Sequence, residues 1–195
     1  MIIKFALMTR PKEPYFVFED IPPYEEFSFE KLTSKNFEQL YQMFEGDASA
    51  FTDERFKDYA KAALYARHLE EYGGYLPKHG NQDWLYLLNG KYAGIFHLYD
   101  LSLETFAENN KRCWIGFATK PALRNKGTTK KALLYFLQYI FKNYPSIQYI
   151  HAMTMKENIP AKALLKSAGF REDEEERMSI VPVFYLLQRE ESARR

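Results

Sequence analysis

The segment Pro121-Ala122-Leu123-Arg124-Asn125-Lys126-Gly127-Thr128-Thr129 carries a basic pair, a glycine and two hydroxyl residues just ahead of a run with helical periodicity. A turn that feeds the chain into a helix there aims several free backbone N–H groups, and the positive end of the helix dipole, at one spot. That is an anion site of the kind a phosphate or pyrophosphate fills. Gly127, lacking a Cβ, lets the backbone approach the anion closely, and Arg124 and Lys126 are placed to add charge. The glycine spacing of a P-loop and the G-x-G-x-x-G of a dinucleotide turn are both absent, which argues against ATP and NAD. Taken alone, the segment also fits an ordinary strand-to-helix turn with a surface basic pair. Further on, Asn158 stands before a second amphipathic run, suited to cap that helix, to bond the same ligand, or both.

Other chemistry-bearing residues carry bland readings. His151 lies mid-strand and is read as a hydrogen-bonded core histidine before a base, and His97 ranks below it. Cys113 reads as a small apolar strand residue rather than an acyl carrier. The acidic run Glu172 to Glu176 reads as a solvated hairpin before a device for drawing in cations. His68, His79, His97 and His151 share no ligand spacing, so no metal site is expected.

The elements that must position these residues follow from periodicity. Phe27, Phe29 and Leu32 suit a short strand, and Phe37, Leu40, Tyr41 and Phe44 form one face of a helix ending near Gly46. A second helix opens at Thr52, with Phe56, Tyr59, Ala60, Ala63 and Leu64 as its buried stripe, and stops at Gly73-Gly74. Trp84 to Leu88 and Tyr92 to Leu101 form a hairpin about Asn89-Gly90. Asn109-Asn110-Lys111 turns the chain into a strand from Cys113 to Thr119. A long helix over 127–143, a strand from Ile147 to Met155, and a helix bearing Ala161, Leu164, Leu165 and Ala168 come next. A last strand pair, Phe170 to Met178 and Ile180 to Leu187, completes the order. The strand-helix-strand unit makes its two strands parallel, so the expected class is α/β with a mixed, mostly antiparallel sheet.

With these elements in place, two stretches resemble one known family. Arg124-x-x-Gly127-x-Thr129 is similar to the Arg/Gln-x-x-Gly-x-Gly/Ala loop of the GCN5-related N-acetyltransferases, and WIGFATKP before it resembles that family's IGYWI-x-P segment. Asn158-Ile159-Pro160-Ala161 through Gly169-Phe170 resembles the family's Asn-x-x-Ser/Ala-x-x-Leu helix with its following Gly-Phe. The order of elements over residues 27–188 also matches, and the ribosomal-protein N-terminal acetyltransferases look like the nearest branch. The resemblance implies an acyl-CoA N-acyltransferase fold with a splayed parallel strand pair. It implies acetyl-CoA as co-substrate, its pyrophosphate on backbone amides from Asn125 through Lys126, Gly127 and Thr128 to Thr129, beside Arg124. Pantetheine would pair with the edge at Phe117, Ala118 and Thr119, and Asn158 would stand at the cleft mouth. The acceptor would be a primary amine, on a small molecule or a protein N-terminus, attacking the thioester directly. The chain departs from the family at three places. Leu165 stands where many members have a Tyr, Trp114 where many have a Glu, and Thr129 at the last small position, which narrows the loop. Catalytic residues are therefore unassigned, Ser167 is expected to be exposed, and a CoA-binding domain without catalysis is the alternative.

Length and composition set the frame. The 195 residues suit one domain, read as an extension over 1–26, the acyltransferase unit over 27–188 and a charged tail over 189–195. A net charge of +1 gives no field for nucleic acid, and the absence of a long apolar run or signal pattern predicts no membrane association and a cytoplasmic protein. One cysteine excludes an intrachain disulfide. A homodimer is compatible with the sequence. The aromatic share of 17% divides into core residues on helix stripes and a short list near the acceptor side, Tyr75, Trp84, Trp114 and Tyr149, as sources for the missing acid.

Overall fold

The computed structural model describes residues 18–72, 80–101, 112–173 and 182–189. In chain order it holds β1 (Phe27–Lys31), α1 (Phe37–Phe44), α2 (Glu54–Lys57), α3 (Tyr59–Tyr72), β2 (Asn81–Leu88), β3 (Lys91–Tyr99) and β4 (Arg112–Thr119). A short 3-10 turn (Pro121–Leu123) leads to α4 (Thr128–Asn143), β5 (Tyr149–Met155), α5 (Ile159–Ser167), β6 (Arg171–Glu172) and β7 (Pro182–Gln188). The strands form one sheet ordered β1-β2-β3-β4-β5-β7-β6. All neighbouring pairs are antiparallel except β4 with β5. The expected mixed α/β fold is present.

Alternation along β2 and β3 sends side chains to two cores. Trp84 and Tyr86 of β2, with Phe96 of β3, meet the apolar stripe of α4 at Leu133, Phe136, Leu137 and Ile140. Leu85 and Ile95 point the other way, to Leu40, Phe44, Phe56 and Tyr65 of α1 to α3. Each fully buried aromatic or branched side chain contributes roughly 1.5–3 kcal/mol, so the sheet is held from both faces. Residues 18–26 lie along α4. Phe18 is buried edge-on to Trp84 and Tyr144, Tyr24 stacks on Tyr135, and the Tyr135 hydroxyl donates to the Pro22 carbonyl.

The helix following Thr52 departs from expectation. Asp53 caps only a single turn, and Asp58 takes an extended conformation before α3 begins. That break resets the helical phase. Tyr59 and Leu64 are exposed and Ala60 faces solvent, while Ala62, Tyr65 and Ala66 form the buried face in their place. Of the expected stripe only Phe56 is buried. The Asn89-Gly90 hairpin forms as expected, both residues at positive φ (49° and 72°). Residues 1–17 of the expected extension, the Gly73-Gly74 stop, the Asn109-Asn110-Lys111 turn and the tail beyond 189 lie outside the described residues. No described helix is long and apolar enough to cross a membrane.

Candidate active site

The cleft starts where two parallel strands part. β4 and β5 pair only at Arg112 with Tyr149, Cys113 with Ile150 and Trp114 with His151. Beyond that, β4 runs on to Thr119 against β3 alone, while β5 stays with β7. The backbone of β4 from Ile115 onward therefore presents an open edge toward the gap, an arrangement that suits an extended ligand carrying amide groups. Two cavities follow this edge. One of about 630 Å³ reaches from Phe117 to the N-terminus of α4 and the flank of α5, and one of about 820 Å³ lies toward α2 and α3. Both are lined by Phe51, Thr52, Phe117, Ala118, Asn158 and Ala161, so they open into one another there.

The smaller cavity ends on the loop before α4. Gly127 takes φ 77° as the helix N-cap and supplies no side-chain cap, the first turn of α4 holds no acidic residue, and Asn125 is also left-handed (φ 60°). A Cβ on Gly127 would meet no atom within 4 Å, so that face of the backbone is open to the cleft. The helix amides and dipole are thus available to an anion with no carboxylate of the first turn opposing it. Arg124 behaves differently from the sequence expectation. Its guanidinium donates to both oxygens of Asp47 (3.0 and 2.5 Å), to Thr52 (3.1 Å) and to the Thr119 carbonyl (3.1 Å). The Asp47 side chain is almost wholly buried, and Arg124 holds its carboxyl far below the usual carboxylate range. The charge expected for the ligand is neutralised inside the protein, and Arg124 ties this loop to the one following α1. Of the remaining loop residues, Asn125 and Thr129 line the cavity while Lys126 and Thr128 do not. Thr129 does not narrow the loop. Its hydroxyl turns inward, 2.6 Å from that of Thr119 and 3.1 Å from that of Tyr86. Asn158 caps α5, its Oδ1 accepting from the Ala161 N–H at 3.3 Å, and also borders both cavities.

The larger cavity contains groups that the sequence reading ranked low or passed over. His97 lines it, with its ring edge-on to Phe56 and Tyr99. Burial, aided by the nearby Arg55 charge and opposed by Asp53, pushes His97 down to about 4. Behind it Asp83 is buried, accepts from the Tyr65 hydroxyl at 2.7 Å, and is pushed up to about 7 by burial. Asp53 and Arg55 form an ion pair on the rim. The nearest sequence signal was the alternation of β2, which places a carboxylate at an inward position.

The acceptor-side list fares unevenly. Trp114 lines the larger cavity, stacked on Tyr99 at 6.0 Å, whereas Tyr149 lines neither cavity. Trp84 is fully buried against Phe136 on the α4 face, so it is core and not acceptor side. Tyr75 lies outside the described residues. Leu165 is fully buried, and Ser167, expected to be exposed, is half-buried and donates to the Leu164 carbonyl at 2.9 Å. The ring of His151 is buried beside Trp114 with Nδ1 3.9 Å from Asp173. Cys113 is buried, which pushes its thiol well above the usual range and leaves it protonated. Glu172 pairs with Lys166 at 2.8 Å.

Comparison with known proteins bears on this geometry. A family model described as an acetyltransferase (GNAT) domain matches residues 27–171. Among solved structures, RimL, a ribosomal alpha-N-protein acetyltransferase in complex with coenzyme A, superposes with a TM-score of 0.67 at 12% identity, over 87% of this chain and 98% of that one. A spermidine N-acetyltransferase SpeG chimera from Vibrio cholerae and hSSAT gives 0.66 at 13% identity, over 88% and 100%. The aminoglycoside acetyltransferase AAC(6')-Ib in complex with coenzyme A and kanamycin gives 0.65 at 14% identity, over 86% and 98%. Curated protein sequences yield no match.

Proposed function

The chain belongs to the GCN5-related N-acetyltransferase family, and on that premise we propose that it transfers an acetyl group from acetyl-CoA to a primary amine, on a small molecule or a protein N-terminus. The observation that carries this reading is the continuity of the cleft. The open edge of β4 leads from an unopposed helix N-terminus to a second cavity with titratable groups, and the two meet at Phe117 and Ala118. Backbone amides from Asn125 to Thr129 are the fitting partners for the pyrophosphate, and the edge at Phe117 to Thr119 for the pantetheine amides. Bound acetyl-CoA supplies a thioester, an acyl donor open to direct attack by a neutral amine. Around that centre the chain's tasks are to hold the acyl group, to support charge on its oxygen with a β4 N–H, and to accept a proton from the amine. A module that binds CoA without catalysis is the second reading, favoured by Leu165, which is fully buried where many relatives have a Tyr.

Acetyl-CoA added at about a hundred times its dissociation constant is expected to stabilise the fold by about 2.7 kcal/mol, read as a rise in melting temperature. Thiol release on a panel of primary amines should follow. A cofactor shift with a silent panel would leave the module, and no shift would remove both readings.

A further inference from the structure

One row of side chains crosses the sheet beneath the larger cavity. Asp83 of β2 pairs with His97 of β3, and His97 pairs with Gly116 of β4. All three positions share the face that packs on α2 and α3. Gly116 has no side chain, and the imidazole occupies the space. A Cβ on Gly116 would stand 1.7 Å from His97 Nε2, so that nitrogen lies directly over the β4 backbone, within the open edge that begins at Ile115. The other ring nitrogen, Nδ1, faces Asp83 Oδ2 at 4.0 Å, and the same oxygen accepts from the Tyr65 hydroxyl. Asp83 Oδ1 is buried and accepts no hydrogen bond from any described residue, so the carboxylate has room for a further donor.

From this row, and resting on the acetyl-transfer reading above, we infer that His97 is the proton acceptor for the attacking amine and that Asp83, anchored by Tyr65, positions its ring and supports its charge. As the amine nitrogen bonds to the thioester carbonyl carbon, the C–S bond breaks and sulfur keeps the electron pair. The proton lost from nitrogen goes to Nε2, and from there to the departing thiolate, which leaves as a thiol. Closing Nδ1 onto Asp83 Oδ2 needs a movement of about 1 Å to reach hydrogen-bond range. The groups facing the pair from other elements are Asp53 at the N-cap of α2, Arg55 of α2 and Tyr65 of α3, with Tyr99 of β3 itself edge-on to the ring. Near neutral pH His97 is uncharged and free to accept, and Asp83 crosses from acid to carboxylate near pH 7. The rate therefore rises with pH and levels off once Asp83 is ionised.

The test has an activity arm and a ligand-free arm. His97→Gln is expected to lower kcat by roughly 10²- to 10⁴-fold, while the melting-temperature rise with acetyl-CoA is retained. Asp83→Asn should lower kcat less and abolish the pH limb near 7, with the KM for acetyl-CoA unchanged. In the ligand-free protein, ¹⁵N-histidine spectra should show His97 titrating near 4 and sensing a second step near 7 that disappears in Asp83→Asn. A His97→Gln rate within about threefold of wild type overturns the inference and leaves the acetyl-transfer reading standing. So does a His97 that titrates near 6.5 with no second step. A wild type that binds acetyl-CoA and releases no thiol overturns the acetyl-transfer reading, and the inference with it.

Discussion

The two cavities of the cleft are made from different materials. The smaller one is backbone: helix amides at α4, left-handed turns at Asn125 and Gly127, and the open edge of β4. The larger one is side chains: His97, Tyr65 and the Asp53–Arg55 pair on its lining, with Asp83 buried behind them. Backbone recognition depends on where the chain turns, so many sequences produce it, and the residues that cannot be changed are those with unusual φ. Side-chain recognition depends on register between strands and on helix phase, so its residues are scattered and free to differ between relatives. Under the proposed function, the contrast assigns the shared co-substrate to the backbone half and the acceptor to the side-chain half.

The strongest way to break this contrast is to fill the backbone half with a side chain. Gly127→Trp puts an indole where the cavity meets the helix, and it also strains a position at φ 77°. Gly90→Trp is the matched control, at φ 72° in the hairpin turn and with equally open surroundings. Each substitution carries a strain of about 1–2 kcal/mol from the left-handed conformation. Only Gly127→Trp is expected to erase the acetyl-CoA stabilisation of about 2.7 kcal/mol, and thermal unfolding with and without cofactor reads the difference. Loss in both variants, or in neither, would detach the loop from the cofactor.

Asp47→Ala tests the tie between the halves. Arg124 spans from the loop before α4 to the segment after α1, and the side chain of its partner Asp47 is 4% exposed. Removing that carboxylate leaves a guanidinium without its counter-charge and is expected to destabilise the fold by about 2–3 kcal/mol, read by denaturant unfolding. The Asp47 pKa is depressed in the folded state, so its contribution is present above the ordinary carboxylate range and lost as pH falls below it. The variant should therefore lose the steepest part of the acid-unfolding limb. Normal stability would mean that Arg124 is held by Thr52 and the Thr119 carbonyl alone.

How far each half was legible follows from the same physics. Gly127 before an amphipathic run, the Asn89-Gly90 turn and the strand-helix-strand order are local signals, and the sheet, its parallel pair and the left-handed turn before α4 follow from them. The larger cavity depends on facts that are not local. Carried without slip from the pairing of Leu88 with Lys91, the hairpin register would set His97 opposite Gln82. The irregularity between Tyr86 and Leu87 shifts it by one and brings Asp83 there instead. A one-residue slip moves a whole strand's side chains to the other face, and nothing in residue type announces it. The extended residue at Asp58 likewise re-phases α3, exposing Tyr59 and turning Tyr65 inward to Asp83. Strand alternation gives two faces without saying which is which, so the burial of Trp84 against α4 is not legible from its position.

The smallest expected effect sharpens the contrast most finely. Thr129 stands where the family's loop carries Gly or Ala, and a side chain directed at the ligand there would make the smaller cavity partly a side-chain site. It is 8% exposed, however, and its hydroxyl is shared among Thr119 and Tyr86 beneath the loop. The three hydroxyls fix the end of β4 to the start of α4, a structural task that leaves the loop's N–H groups outward. Thr129→Ala should then destabilise the fold by about 1 kcal/mol through the lost hydrogen bonds. Its acetyl-CoA affinity, measured by titration calorimetry, should stay within about threefold of wild type, a difference below 1 kcal/mol. A tenfold change in either direction would mean that this side chain shapes the ligand's seat, and the division of the cleft into a backbone half and a side-chain half would fail at the residue where the sequence departs from its family.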